Sequence, residues 1–391
     1  MKKFSLIAVC LIVLATVSFS TAPATAKESS SRKIVVFKDG FKNNDTQDAL
    51  IAKVGGTKIK NLNLINAKTV YLPNKAAEES LLKDSNVKRI DEDIIISATG
   101  KPGQTLPAEV LPWGIARIEA NNAWSTTRGN GIKVATIDTG ISLTHPDLKA
   151  NIKGGYNAIV SSKSYADDNG HGTHVAGIIG AVDNEIGVVG AAPMVSLYAV
   201  KALDRNGSGY LSDVIEGLDW AITNGMQVVN MSLGSSLDNI SLHEAVQKVN
   251  QAGIVQVAAA GNSGGAVDYP GAYPEVIAVS ATTNGTNEIT PWSSRGSEVD
   301  LAAPGENIYS TYKGTTYQTL SGTSMASPHV AGSAALVLTQ APGTYDLDGD
   351  GVWDPNEVLN KLQATATDLG VVGVDPLYGA GLVNAARAVQ P

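Results

Sequence analysis

Four short segments of the 391-residue chain carry side chains whose types could cooperate in one reaction. Ile137-Asp138-Thr139-Gly140 ends an apolar run, and Ala259-Ala260-Gly261-Asn262 ends another. His171-Gly172-Thr173-His174-Val175-Ala176-Gly177 and Gly322-Thr323-Ser324-Met325-Ala326 each open a helical pattern. A serine hydroxyl is a weak nucleophile at neutral pH, so Ser324 needs a neighbouring base to take its proton as it attacks a peptide carbonyl, and His171 is the candidate. Asp138 would accept a hydrogen bond from the other imidazole nitrogen, fixing the tautomer and stabilising the imidazolium that forms. The attacked oxygen becomes an anion, for which the Asn262 amide and the Ser324 backbone N–H at a helix start are the candidate donors.

Each residue alone has a plainer reading: Asp138 as a turn or helix cap, Ser324 as an N-cap. Only their joint occurrence with His171 and Asn262 favours catalysis. His171 and His174 could suggest zinc, but they lack the His-Glu-x-x-His pattern and no cysteine lies nearby. Gly261-Asn262-Ser263-Gly264-Gly265 matches the Gly-x-Ser-x-Gly elbow of esterases, a fold that needs an acid and then a histidine downstream, where only His329 remains. His145 and His329 read as structural and His243 as a surface residue. A non-catalytic calcium-binding scaffold would be missing one of the four residues, and none is missing.

A second chemistry is written at 346–357, Asp346-Leu347-Asp348-Gly349-Asp350-Gly351-Val352-Trp353-Asp354-Pro355-Asn356-Glu357. This fits Asp-x-Asp-x-Asp-Gly-x₅-Glu. Carboxylates of Asp346, Asp348 and Asp350, the Val352 carbonyl, Asp354 through a water and bidentate Glu357 make up the hard oxygen set that Ca²⁺ prefers, with Gly351 for the sharp turn. A solvated acidic turn is the alternative. With a flanking helix on one side, the loop is expected to be an EF-hand-like structural site of extracellular-grade affinity.

These groups need a frame to hold them. Apolar runs at 133–137, 195–200, 228–231, 254–260 and 276–279 alternate with helical patterns near 172–181, 212–224, 241–251 and 325–338. Continuous Val/Ile/Ala strands separated by helices predict an α/β fold with a buried, doubly wound, mostly parallel sheet. Such a sheet places its site at strand ends and helix starts, where the four segments lie. Upstream, strand-like runs at 33–37, 69–72 and 94–96 and helical patterns at 46–54, N-capped by Asp45, and 76–82 predict a small α+β unit. Gly100, Pro102, Gly103 and Pro107 mark the stretch 98–107 as a linker open to cleavage.

The chain opens with Lys2 and Lys3, an apolar run at 6–15 and the small-residue pattern Ala24-Thr25-Ala26, which reads as a secretory leader over 1–26. The apolar run is shorter than the ~20 residues a spanning helix needs, so no membrane anchor is expected once the leader is removed. The single cysteine, Cys10, falls inside it, leaving the exported chain without disulfides and with bound calcium as the plausible staple. Residues 27–100 carry 13 Lys and Arg against 10 Asp and Glu, and residues 101–391 carry 14 against 27. A basic segment docking on its acidic neighbour is one reading, ordinary surface variation the other. The acidic main part argues against nucleic acid as a partner.

The segments carrying Asp138, His171, Asn262 and Ser324, in that order, with Ser232-Leu233-Gly234, Ala303-Pro304-Gly305 and Gly379-Ala380-Gly381-Leu382-Val383-Asn384, resemble those of the subtilisin-like serine proteases. The resemblance covers most of the chain and implies a monomeric, secreted, autoprocessed endopeptidase over 104–391, preceded by a ferredoxin-like propeptide over 27–103 that acts as intramolecular chaperone and inhibitor. It implies that Gly207-Ser208-Gly209 and Ser232-Leu233-Gly234 are two edges between which an extended peptide lies as an added strand. It also implies a calcium site from Asp147, Asn184 and the carbonyls of Val182, Ile186 and Val188, with Glu109 standing where the family usually has Gln. Asp268 falls where subtilisins often have Gly, near the floor of the pocket for the side chain preceding the scissile bond.

Overall fold

The computed structural model describes residues 31–98, 101–102 and 109–391, so the leader and most of the linker lie outside the described residues. The first unit runs β1 (Ser31–Phe37), α1 (Asn44–Lys53), β2 (Thr57–Leu62), β3 (Ala67–Leu72), α2 (Lys75–Leu82) and β4 (Val87–Glu92). Its antiparallel sheet has the order β2-β3-β1-β4. The two-residue period of β1 serves two cores. Val35 and Phe37 join Ile51, Val70, Leu72 and Leu81 under the helices, while Ile34 and Val36 face the other way into the core of the main unit. The cap of α1 is Asn43, not Asp45: the Asn43 side-chain oxygen accepts from the N–H groups of Asp45 (2.9 Å) and Thr46 (3.1 Å), leaving Asp45 in the first turn, where its charge suits the helix dipole.

Two short strands follow, β5 (Ile95–Ala98) and β6 (Lys101–Pro102). Then come α3 (Trp113–Arg117), α4 (Ala120–Ala123), β7 (Lys133–Asp138), β8 (Ile152–Asn157), α5 (His171–Gly180), β9 (Ser196–Lys201) and β10 (Ser208–Tyr210). Next are α6 (Leu211–Thr223), β11 (Val228–Met231), β12 (Leu233–Gly234), α7 (Ile240–Gln251), β13 (Val255–Ala259), β14 (Ile277–Thr282) and β15 (Val299–Pro304). The hairpin β16 (Ile308–Tyr312) and β17 (Thr316–Ser321) leads into α8 (Thr323–Val337), followed by α9 (Pro355–Thr365) and α10 (Ala385–Ala388).

Seven strands form one parallel sheet in the order β15-β14-β13-β11-β7-β9-β8. Apart from the edge strand β8, its strands are buried on both faces, which is why they read as apolar runs. Val134, Val228 and Val255 pack with Val175 and Ile178 of α5 and Val330 of α8. Their neighbours Ala135, Ile137 and Val229 pack with Val214 and Leu218 of α6 and Leu242 and Val246 of α7. The fold is therefore the doubly wound α/β arrangement expected. Strand order reverses between β7 and β11, and the carboxyl ends at such a switch point are where these sheets bind ligands. Among the described residues, no helix is long and apolar enough to cross a membrane.

Candidate active site

Asp138 is the last residue of β7 and is fully buried. Its carboxylate accepts the Thr139 N–H (2.7 Å) and the His171 Nδ1–H, at 2.8 Å and 3.0 Å from its two oxygens. His171 opens α5 and can reach Asp138 because the next residue has no side chain. A Cβ at Gly172 would stand 2.3 Å from the Gly140 carbonyl and 3.0 Å from Asp138 Oδ1. Asn169 steadies the turn by accepting the His171 N–H at 3.0 Å.

Ser324 lies in the first turn of α8, where backbone N–H groups have no helical partner. Its Oγ donates to the Ser232 carbonyl (3.0 Å), while the Ser232 hydroxyl donates to the Ser324 carbonyl (2.8 Å). This two-way lock is extended by Asn230, which donates to Ser232 Oγ (2.9 Å) and accepts from Ser327 Oγ (2.7 Å). Asn262 Oδ1 accepts from the Thr323 N–H (2.9 Å) and hydroxyl (3.0 Å). With its oxygen so engaged, the Asn262 amide presents its NH₂ beside the first turn of α8.

The other histidines do not share this site. His174 Nε2 donates to the carbonyls of Ile308 and Gln318, both at 3.0 Å, so that nitrogen carries a proton and cannot ligate zinc. Burial, with the His171 charge second, pushes His174 down to about 3, and burial pushes His329 down to about 4. His329 is held on the inner side of α8 by the Met325 carbonyl (2.8 Å), whereas Ser263 is exposed and its hydroxyl meets Ser294 at 3.2 Å. His145 is buried, and His243 is half-buried against Glu275.

Beside these residues the chain pairs with itself. β5 is the middle strand of a three-stranded antiparallel sheet, β10-β5-β12. Ser97 pairs with Ser208 and Gly234, Ile96 with Gly209, Ile95 with Tyr210 and Ala98 with Leu233. The expected strand near 94–96 thus exists but does not belong to the small unit's sheet. Its pairing partners come from the main unit, and Ile96 is buried in the core that includes Leu203, Leu211 and Leu233. Of the two expected edges, Ser208, Gly209, Leu233 and Gly234 pair with it. Gly207 instead closes a turn onto Asp204 (2.9 Å), Ser232 holds Ser324, and Tyr210, not foreseen, completes the first edge. On the far side β6 pairs with β17, Lys101 opposite Ser321 and Pro102 opposite Leu320.

The basic first unit grips carboxylates on α6 and α7. Lys60 meets Asp213 (2.6 Å) and Glu216 (2.7 Å), and Arg89 forks onto both oxygens of Glu244 at 2.9 Å. Asp93 accepts the Ser212 N–H (2.9 Å) and hydroxyl (2.9 Å) at the start of α6. Arg32 pairs with Asp93 and lies 3.6 Å over the Tyr210 ring.

Both expected cation loops gather oxygen donors. Fully buried Asp147 accepts from Asn184 Nδ2 (3.1 Å), the Val188 N–H (3.0 Å) and the Tyr317 hydroxyl (2.9 Å), a contact no motif foretold. Val182 donates to the Asp147 carbonyl (2.8 Å), Ile186 donates to Asn184 Oδ1 (2.8 Å), and Glu109 accepts the Asn184 N–H (3.0 Å). Burial, reinforced by Asp183, Asp147 and Glu185, pushes the Glu109 carboxyl up. In the other loop, one carboxylate oxygen each from Asp346, Asp348 and Asp350 lies within 4.8 Å of the others. Glu357 is buried and its two oxygens accept the N–H groups of Leu347 (2.6 Å) and Asp354 (3.0 Å), while Val352 is exposed. Burial and the charges of Asp348, Glu357 and Asp350 push Asp354 up.

Residues 129–381 match the model of the subtilase family. The chain is 42% identical over 395 residues to subtilisin E of Bacillus subtilis, covering 97% of each. It is 40% identical over 403 residues to an alkaline protease of Shouchella clausii, covering all of both chains. It is 46% identical over 311 residues to a thermostable alkaline protease of Halalkalibacterium halodurans, covering 79% of this chain and 82% of that one. With a doubly wound sheet and a buried Asp–His pair at its switch point, the chain belongs to the subtilase family of serine endopeptidases.

Proposed function

We propose that Ser324 is the nucleophile of peptide-bond hydrolysis, with His171 as general base and acid, Asp138 as the orienting carboxylate, and Asn262 Nδ2 with the Ser324 N–H as oxyanion donors. The observation that carries this reading is the buried His171 Nδ1–Asp138 hydrogen bond at 2.8 Å. It fixes the proton on Nδ1 and leaves Nε2 to take the Ser324 proton. As Oγ bonds to the carbonyl carbon, the C=O electron pair moves to oxygen and is met by the two donors. Collapse breaks the C–N bond while His171 returns its proton to the leaving amine, and water repeats the sequence on the acyl-enzyme. Treatment of the active enzyme with phenylmethylsulfonyl fluoride is expected to abolish casein hydrolysis and leave one label, on the peptide holding Ser324. A label on Ser263 would instead support the esterase reading.

The first unit is the enzyme's own inhibitor and folding template, on this reading, because its last strand occupies the substrate groove. Backbone pairing on both sides, through Ala98 and through Lys101, favours a processing point between those two residues, inside the 98–107 linker, over the 103/104 boundary expected with the family resemblance.

Calcium is the metal this family binds, and the donor sets here are all oxygen. Asp147, Asn184 and the carbonyls of Val182, Ile186 and Val188, with Glu109, would hold one ion. Asp346, Asp348, Asp350, Asp354, the Val352 carbonyl and Glu357 would hold another, which would neutralise carboxylates that repel each other when empty. Each Glu357 oxygen keeps a lone pair beyond its backbone contact. Asp346→Ala with Asp348→Ala is expected to lower bound calcium by one ion per molecule and shorten the thermal half-life several-fold. The initial rate should hold, because the loop follows the C-terminal end of α8 whereas Ser324 lies in that helix's first turn. Unchanged stoichiometry would refute the site.

A further inference from the structure

Asp268 is a half-buried carboxylate that makes no side-chain hydrogen bond or ion pair among the described residues, and burial alone pushes its carboxyl up, with no charged neighbour contributing. Buried polar groups are rarely left so. Its backbone is fixed from two sides. The Asp268 N–H donates to the Ala260 carbonyl (2.9 Å), and Tyr269 exchanges hydrogen bonds of 2.8 Å and 2.9 Å with Ser235, next to β12. Residue 268 therefore closes one end of the gap between β12 and the segment 260–262 that carries Asn262.

Two glycines admit the side chain. A Cβ on Gly234 would stand 3.0 Å from Asp268 Cβ, and a Cβ on Gly261 would stand 2.4 Å from Asp268 Oδ2. The carboxylate thus sits one residue from Asn262 and against the edge that pairs with the bound strand. In that strand Ser97 lies opposite Gly234 and Ala98 opposite Leu233. A substrate in the same register brings its next residue opposite Ser232, whose carbonyl holds Ser324 Oγ at 3.0 Å. That next residue is the one whose carbonyl would be attacked, and, standing two positions along from the partner of Gly234, it shares the sheet face on which Asp268 lies.

We infer that Asp268 is a specificity-determining residue that selects lysine or arginine immediately before the scissile bond, the substrate cation being the partner this carboxylate lacks. The inference rests on Ser324 being the nucleophile. A flexible cationic side chain can cross the gap and pair with the carboxylate in a partly desolvated site, whereas a glutamate there would meet like charge. Phenylalanine would fill the gap without making the pair.

The test compares kcat/KM for peptides that differ only at that position, carrying Lys, Arg, Phe or Glu, on native enzyme and on Asp268→Asn. Active sites are counted by titration with the serine-directed sulfonyl fluoride, so misfolded variant does not enter the rates. Native enzyme is expected to favour Lys and Arg over Glu, and the Lys-to-Phe ratio should fall on the order of tenfold or more in Asp268→Asn. A ratio that stays within about twofold, or an equal loss on all four peptides, overturns the inference. Native enzyme supplies a second reading: the Lys-to-Phe ratio should drop with added salt and with acidification, since both weaken a carboxylate–cation pair. A ratio indifferent to both also overturns it. Labelling of Ser324 in the same samples separates this failure from failure of the catalytic assignment.

Discussion

Replacing Ser324 with alanine is expected to give a folded, full-length enzyme after leader removal, with no measurable peptidase activity and with residues 31–98 still covalently attached. In a subtilisin, loss of the nucleophile costs about 10⁶-fold in turnover, so the remaining rate falls below detection. Retention of the first unit follows from where the chain runs. β5 is held by β10 and β12 on one side, β6 is held by β17 on the other, and β17 leads within three residues to Ser324. The described ends on either side of the bond to be cut, Ala98 and Lys101, are thus each paired to a strand of the main unit close in sequence or contact to Ser324, and self-cleavage is the expected route. Intact mass of the Ser324→Ala chain from a protease-deficient host is the measurement. A mass matching the processed native enzyme would show that another protease does the cutting. N-terminal sequencing of the native product should begin between 99 and 101.

Much of this site was legible in sequence because each member ends or begins a strongly patterned element. Asp138 closes an apolar run that both sheet faces bury, and His171 and Ser324 start helices whose first residues cannot be elsewhere. The catalytic readings depend on residues local to such boundaries. What escaped depends on tertiary context. The run at 94–96 is apolar like any strand, and nothing in it distinguishes pairing within its own unit from pairing with Gly209 and Leu233 more than a hundred residues on. β8 reads Ile-Lys-Gly-Gly-Tyr-Asn and was missed because its place at the sheet edge spares it the continuous apolar pattern. The contacts of Tyr210 with Arg32 and of Tyr317 with Asp147 join residues 178 and 170 positions apart. They follow no periodicity. The charge asymmetry between units, which left docking and ordinary surface variation both open, includes the pairs that bind Lys60 and Arg89 to α6 and α7.

Those pairs are not equal, and their burial predicts which one holds the inhibitor in place. The Lys60 side chain is 15% exposed and its partner Asp213 4%, whereas Lys88, which meets Glu244 at 3.1 Å, is 51% exposed. An exposed pair contributes about 0–1 kcal/mol and is screened by salt. Removing Lys60 instead leaves Asp213 with Arg32 alone, at 3.8 Å, and takes from Glu216 the cation it meets at 2.7 Å, in a largely dry interface, a loss of about 2–5 kcal/mol. Burial already pushes the Asp213 carboxyl up, and Lys60 and Arg32 are the groups that oppose this. Lys60→Ala in a separately added first unit is therefore expected to weaken inhibition of the processed enzyme by about 30-fold to several thousand-fold, and Lys88→Ala by less than about fivefold. The same Lys60 variant should slow recovery of activity when the main unit is refolded with it. The parallel sheet is assembled from distant segments, and docking of β1 to β4 on α6 and α7 fixes two helices that flank it. Equal inhibition constants for the two variants would mean that apolar packing by Ile34, Val36 and Leu62 carries the docking and that the charges only steer it.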